Sequence, residues 1–135
     1  MTVPRFMLDT NIVSDLIRNP MGKVAQHIRA IGDHGLAVSI ISAAELRFGA
    51  AKRGSARLSS RVEAVLGALT VLPFDVPADA EYARIRAELE TAGKPIGPND
   101  LLIAAHAYAL GTTIVTNDST EFGRIHGLQI ENWLV

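Results

Sequence analysis

Four of the fourteen acidic residues stand where strands are predicted to end or helices to begin, whereas most of the others fit solvated helix faces. They are Asp9, Glu45, Asp100 and Asp118. If they converge, they repel: two carboxylates about 4 Å apart cost roughly 4 kcal/mol at an effective dielectric near 20, and a helix N-terminus offsets only about 0.3–1 kcal/mol. A divalent cation removes this cost, and an all-oxygen site with open water positions suits Mg²⁺ or Mn²⁺.

Each acid also has an ordinary structural explanation. Asp9 is a favoured residue type for capping the helix predicted to follow it. Ser42 and Glu45 have the spacing of a capping box, with Ser42 at the cap and Glu45 in the first turn. Asp100 complements the positive end of its helix, and Asp118 can cap a short turn. Taken one at a time, these explanations are sufficient, but they do not explain a cluster.

The segments that must position these acids alternate between strand and helix patterns. Strand-like segments are predicted over 5–8, 36–41, 70–74, 113–116 and 128–131. Helical patterns are predicted over 11–18, 20–31, 43–52, 56–69, 77–91 and 98–110. Such alternation predicts one α/β domain, over residues 1–135, with a mostly parallel sheet of about five strands between helices.

In such a sheet the carboxyl ends of the strands gather at one edge, where α/β proteins bind ligands. Asp9, Glu45 and Asp118 follow predicted strands and should face that edge. Asp100 joins them if its helix runs antiparallel to the strand TIVT, as a right-handed crossover requires. The sequence therefore predicts four carboxylates in one pocket.

Composition excludes several other classes of protein. The chain has 135 residues, 48% of them hydrophobic, which suits one core, and its net charge of −1 lacks the basic excess of a sequence-specific DNA-binding protein. With no cysteine, thiolate chemistry and cysteine-based zinc sites are excluded. No apolar run approaches the roughly 18 residues that span a bilayer, and MTVPRFMLD reaches a carboxylate too early for a signal peptide. We expect a cytoplasmic protein with no membrane contact.

The chain resembles PIN-domain ribonucleases of the VapC type, the toxins of bacterial toxin–antitoxin pairs, and within them most resembles the FitB-like branch. The resemblance runs almost end to end and is carried by four segments. They are FMLDTNIVSDL (6–16), SIISAAELRFGA (39–50), IGPNDLLIAAHAYALG (96–111) and TIVTNDSTEFGRIHGLQIENW (113–133). It implies a three-layer, Rossmann-like PIN fold, RNA cleavage that depends on Mg²⁺ or Mn²⁺, a homodimer, and inhibition by a small cognate antitoxin.

The resemblance also implies roles for particular residues. The family's four catalytic acids fall on Asp9, Glu45, Asp100 and Asp118, with supporting polar positions on Asn11 and Thr116. Asp9 and Asp100 are expected to be the principal metal ligands and Asp118 a further one, direct or through water. Glu45 is expected to hold or deprotonate the attacking water, or to bind a second ion that forms only with substrate. The expected chemistry is metal-assisted phosphodiester hydrolysis.

A cluster of basic residues follows the second predicted strand. Five of the thirteen cations fall in a 15-residue window that contains no acid: Arg47, Lys52, Arg53, Arg57 and Arg61. Arg57 and Arg61 are four residues apart and share a helical face. We expect this surface to contact RNA phosphates or the antitoxin, and a solvated helix face is the alternative.

Three other functions are alternatives to the nuclease. A haloacid-dehalogenase-like phosphohydrolase needs a second Asp two residues after the first, where this chain has Asn11. A response-regulator receiver needs a Lys after a late strand, and TIVTND offers none. The third is a PIN-like interaction module without physiological nuclease activity, which the intact acids disfavour.

Overall fold

The computed structural model describes residues 4–32 and 35–135, so the first three residues of MTVPRFMLD lie outside the described part. Within it the chain forms five strands and seven helices. The strands are β1 (Phe6–Leu8), β2 (Leu36–Ser39), β3 (Thr70–Leu72), β4 (Thr113–Val115) and β5 (Ile130–Glu131). The helices are α1 (Thr10–Arg18), α2 (Lys23–Ile31), α3 (Ile40–Arg53), α4 (Ala56–Ala68), α5 (Ala78–Thr91), α6 (Pro98–Leu110) and α7 (Ser119–Phe122).

The strands form one sheet in the order β3-β2-β1-β4-β5, and every neighbouring pair is parallel. Because successive strand residues point to opposite faces, a buried parallel sheet carries apolar side chains on both. Phe6, Leu8 and Val115 pack into a core with α1, α2, α3 and α4. Met7 and Ile114 face the other way, into a second core with α5 and α6. The prediction of a parallel sheet between two helical layers is confirmed.

The second strand is shorter than the sequence predicted. The apolar run 36–41 stops at Ser39, whose hydroxyl accepts a hydrogen bond from the Ile41 amide at 3.1 Å and so caps α3. The expected capping box is therefore wrong: Ser42 lies inside the helix, and Glu45 lies in its second turn. Hydrophobicity alone could not separate a strand from the buried start of a helix.

The other boundaries differ from the predictions by a few residues. The helix expected over 20–31 begins at Lys23, after Gly22. The helix predicted over 98–110 has those bounds and ends at Gly111, whose φ of 68° is the left-handed conformation that glycine adopts at helix ends. Among the described residues, no helix combines the length and apolar character needed to cross a bilayer.

Candidate active site

The candidate site lies at the carboxyl edge of the sheet, between β1 and β4. These neighbouring strands continue in opposite directions across the sheet, β1 to β2 and β4 to β5, so a crevice opens above the point where they meet. Asp9 follows β1 directly, and Thr116 follows β4 directly. The amino end of α6, which carries Asp100, faces the same crevice.

Asp9 is both a helix cap and a member of the acidic site. Its Oδ1 accepts a hydrogen bond from the Ile12 amide at 2.9 Å, and the side chain is almost fully buried. Burial raises the pKa of the Asp9 carboxyl above its usual value, and the charges of Asp118 and Glu45 raise it further. Hydrogen bonds from Thr116 and Ile12 act in the opposite direction, because they stabilise the charged form.

A group of three carboxylates forms the centre of the site. Asp100, Asp118 and Glu121 each place one carboxylate oxygen within 4.8 Å of the other two. Burial raises the pKa of the Asp100 carboxyl to about 6, with further contributions from Glu121, Asp9, Glu45 and Asp118 in that order. Asp100 therefore experiences the negative charge of all four other acids.

Local hydrogen bonds fix the positions of Asp118 and Glu121. The Asp118 carboxylate caps the short α7 by accepting from the Glu121 amide at 3.0 Å. The Glu121 carboxylate in turn accepts from the Gly97 amide at the start of α6. These two hydrogen bonds hold α7 against the start of α6 and so bring Asp118 close to Asp100. The cap predicted for Asp118 is confirmed.

Glu45 reaches the site from α3 and is held on both oxygens. The Thr10 hydroxyl donates to its Oε1, and the Asn99 amide donates to its Oε2 at 3.0 Å. Thr10 begins α1, and Asn99 precedes Asp100 in α6. Glu45 thus joins three helices at the edge of the crevice, with its carboxylate orientation fixed.

The donor set fits a hard divalent cation. Three carboxylates with clustered oxygens are the ligands that Mg²⁺ and Mn²⁺ prefer. Burial first, and the neighbouring negative charges second, raise the pKa of Asp100, and a bound cation would lower it again. Among the described residues the clustered group includes Asp100 and Asp118 but holds Glu121 in place of the expected ligand Asp9. The ligand roles remain predictions.

Three site residues were missed by sequence reasoning: Thr10, Asn99 and Glu121. Each lies next to one of the predicted acids, or one helical turn from it, in the segments DTN, PND and NDSTE. Their partners are 24 to 54 residues away in sequence, so pattern alone could not reveal the contacts.

The two supporting polar positions differ in their surroundings. The buried Thr116 hydroxyl accepts from the Asp118 amide at 2.9 Å and also bonds Asp9, so it links two of the acids. Asn11 is exposed near the start of α1, and the side chain bonded to Glu45 is that of its neighbour Thr10. The role of Asn11 stays a prediction.

The predicted basic surface lies on α3 and α4. Arg47 pairs with Glu63 at 2.9 Å, an acid just beyond the window, and the two side chains are 50% and 56% exposed. Such exposed pairs contribute little to stability. The other four cations, Lys52, Arg53, Arg57 and Arg61, are exposed. Contact with RNA or with an antitoxin stays a prediction for all five.

The chain is similar to known proteins over most of its length. The family described as "PIN domain" matches residues 6–128. The tRNA(fMet)-specific endonuclease VapC of Shigella flexneri is 37% identical over 130 residues, which cover 96% of this chain and 98% of the relative. The structure of DNA-bound VapBC from Salmonella typhimurium contains a chain with a TM-score of 0.89 and 38% identity, covering 96% of this chain and 98% of that one. FitAcB from Neisseria gonorrhoeae gives a TM-score of 0.82 with 31% identity, covering 95% and 97%.

Proposed function

The chain belongs to the PIN-domain family and is related to the VapC ribonucleases, and on that basis we propose that it is a metal-dependent endoribonuclease and the toxin of a toxin–antitoxin pair. The observation that carries the proposal is the convergence of Asp100, Asp118 and Glu121 at the sheet edge, with Asp9 and Glu45 close enough to raise the pKa of Asp100. Acids brought together against their mutual repulsion indicate a site that binds a cation.

Asp100, Asp118 and Glu121 would hold the ion, Mg²⁺ or Mn²⁺, and Asp9 would bind it directly or through water. When bound, such an ion supplies charge stabilisation to a phosphate oxygen and lowers the pKa of a water molecule. The hydrogen bonds from Ile12 and Thr116 fix the Asp9 carboxylate, so it is orientated before substrate arrives.

Glu45 is the residue placed to act on the attacking water. Its two oxygens are orientated by Thr10 and Asn99, and it does not belong to the clustered trio of the described residues. A carboxylate in that position can accept a hydrogen bond from water and take its proton as the oxygen attacks phosphorus. Hydrolysis then breaks the phosphodiester bond without a covalent enzyme intermediate.

The names of the relatives suggest the partners to test. The Shigella relative is named for tRNA(fMet), so this RNA is the first substrate to try. The similar structures from Salmonella and Neisseria are those of VapBC and FitAB-type complexes. We therefore propose a small cognate antitoxin as the inhibitor. The homodimer that the family resemblance implies is proposed as the assembled toxin.

A cleavage assay tests the proposal. Purified protein would be incubated with tRNA(fMet) and with mixed RNA, in Mg²⁺ or Mn²⁺ and in EDTA. We expect cleavage only with metal, and a loss of about 100-fold or more in Asp100→Asn and Glu121→Gln. Glu88→Gln is the matched control, because Glu88 is an exposed acid whose partner is Arg84 on the same helix.

Cleavage that persists in EDTA, or in Asp100→Asn at the wild-type rate, would contradict the carboxylate–metal site or reveal a contaminating nuclease. A folded protein that binds an antitoxin but cleaves neither RNA under any of these conditions would instead be the interaction module. Equal activity of Glu121→Gln and Glu88→Gln would remove Glu121 from the ligand set.

A further inference from the structure

A groove runs away from the acidic site between α1 and the α3–α4 pair. It encloses about 250 Å³, and its walls include Ser14 and Arg18 from α1 and Gly49 and Arg53 from α3. Its remaining polar wall is formed by Thr10 and Glu45. Because these two residues belong to the site already described, the groove opens directly onto the acids.

Gly49 keeps this groove open. Glycine inside a helix costs about 1 kcal/mol relative to alanine, so its presence in the middle of α3 needs a reason. A Cβ built at Gly49 would meet no atom within 4 Å, so packing within the described chain does not demand a glycine here. A larger side chain at this position would project into the groove, and its absence leaves room for a ligand.

Two arginines flank the groove, Arg18 and Arg53, and neither forms an ion pair with a described acid. In the described ranges, Arg47, Arg84 and Arg86 all form ion pairs with glutamates, whereas no ion pair is formed by Arg18 or Arg53. Both lie in the last turn of a helix, where a cation is favourable by itself. That preference does not explain why the two charges line the same groove.

Guanidinium groups bind phosphate oxygens in a bidentate manner and are the usual phosphate contacts of RNA-binding grooves. The enclosed space is too small for an oligonucleotide but suits a phosphate and its ribose, with the rest of the strand in solvent. The half-buried Ser14 adds a hydroxyl group that can form hydrogen bonds to the wall of the groove.

We propose that this groove binds the backbone of a single RNA strand next to the bond that is cut, with Arg18 and Arg53 on its phosphates. The proposal rests on the nuclease function proposed above and adds the path of the substrate. Continuity with the acids through Glu45 favours RNA over an acidic protein segment as the occupant.

The test measures RNA binding and cleavage separately. Fluorescence anisotropy in EDTA would follow a fluorescein-labelled single-stranded RNA about ten nucleotides long. We expect Arg18→Ala and Arg53→Ala each to weaken binding about tenfold, and to reduce the slope of log affinity against log salt by about 0.7. Gly49→Leu should weaken binding by blocking the groove.

Cleavage kinetics with metal present give the second measurement. In all three variants KM should rise while kcat is unchanged, since none of the three residues touches the reacting atoms.

Matched control variants distinguish a blocked groove from a misfolded protein. Gly67 in α4 is a second exposed helical glycine whose Cβ would meet nothing within 4 Å, but it does not line the groove, so Gly67→Leu should bind RNA normally. Leucine favours helix over glycine, so neither variant should unfold. Arg29→Ala is the charge control, from a cation that lines a different cavity, and Arg53→Lys should restore part of the affinity.

Equal RNA affinity and KM in Gly49→Leu and Gly67→Leu, or in Arg53→Ala and Arg29→Ala, would overturn the proposed path. Those outcomes leave cleavage by the wild type intact. A wild-type protein that neither binds nor cleaves RNA would overturn the nuclease function itself, and the groove proposal with it.

Discussion

At the scale of single residues, the site combines groups that would be more stable apart. Asp100 is half-buried and lies near four other acids, so its carboxylate is disfavoured by lost hydration first and by repulsion second. Helix α6 offsets part of this cost, because Asp100 lies in its first turn. The folded protein without metal therefore retains a proton on Asp100 at a pH where the unfolded chain has released it.

This difference predicts how the stability of the metal-free protein depends on pH. The pKa of Asp100 rises from 3.8 to about 6 on folding, so the folded state binds more protons between these values. The free energy of unfolding should consequently decrease as pH rises from about 4 to 6 and stay lower above that range. Asp100→Asn removes the charge and should stabilise the metal-free protein at pH 7.5 by on the order of 1 kcal/mol, after discounting for solvent screening.

Urea denaturation in EDTA at several pH values measures this effect. Asp79→Asn is the matched control, because Asp79 is an exposed acid in the first turn of α5, where its charge is favourable. That variant should be unchanged or slightly less stable. An Asp100→Asn protein that is less stable than wild type at pH 7.5, with an unaltered pH profile, would mean that neither burial nor repulsion disfavours the charged form of Asp100.

At the scale of elements, the sequence predicted the positions of the acids better than the start of α3, the helix that carries Glu45. Asp9 and Asp118 follow short apolar strands, and Asp100 follows Pro98 at a helix start, so local signals located all three. The start of α3 was predicted wrongly because its cap, Ser39, is held in place by a contact with a residue far away in the sequence. Its hydroxyl lies 2.8 Å from Nδ1 of His106, which is 67 residues away in α6.

The sequence pattern likewise could not predict the contacts between elements. Thr10 and Asn99 hold Glu45, and Gly97 holds Glu121, through hydrogen bonds between different helices. No spacing rule connects residues that meet only after the sheet has formed. Strand ends and a helix start indicated where Asp9, Asp100 and Asp118 lie, whereas the residues that orientate the acids required the structure.

His106 gives a prediction for the α3–α6 contact. The ring is buried, bonds Ser39 and the Pro73 backbone, and makes an edge contact with Phe74. Burial lowers the pKa of His106, so the ring is neutral and Nδ1 accepts the Ser39 hydroxyl proton. His106→Ala leaves that hydroxyl without its partner and should cost about 1–3 kcal/mol of stability, measured by urea denaturation.

A double-mutant cycle isolates the hydrogen bond from the rest of the ring. Ser39→Ala should cost clearly less in the His106→Ala background than in wild type, since the partner is already gone. His126→Ala is the control, because His126 is an exposed histidine. Fully additive effects of the two substitutions would show that the contact contributes nothing and that His106 acts through packing alone.

At the scale of the whole molecule, the acidic site is where separate parts of the fold meet. The two apolar cores lie on opposite faces of the sheet, and among the described residues no side chain belongs to both. The acids come from the end of β1, from α3, from α6 and from the segment after β4. A ligand that binds them together therefore stabilises contacts between both helical layers, and its binding energy appears as stability of the entire fold.

Added Mn²⁺ should accordingly raise the melting temperature of the wild-type protein. A ligand at 100 times its dissociation constant stabilises the folded state by about 2.7 kcal/mol, which corresponds to roughly 5–10 °C for a domain of this size. Asp100→Asn should start from a higher melting temperature without metal and gain little with it, because its ligand oxygen is lost and the charge repulsion is already relieved. Asp79→Asn should gain as much as wild type.

Metal ligands must be deprotonated, so the increase in the wild-type melting temperature on adding Mn²⁺ should also become smaller as pH falls through about 6, the pKa of Asp100. Differential scanning fluorimetry with and without Mn²⁺ measures both effects, and an equal gain in wild type and Asp100→Asn would place the metal elsewhere on the protein.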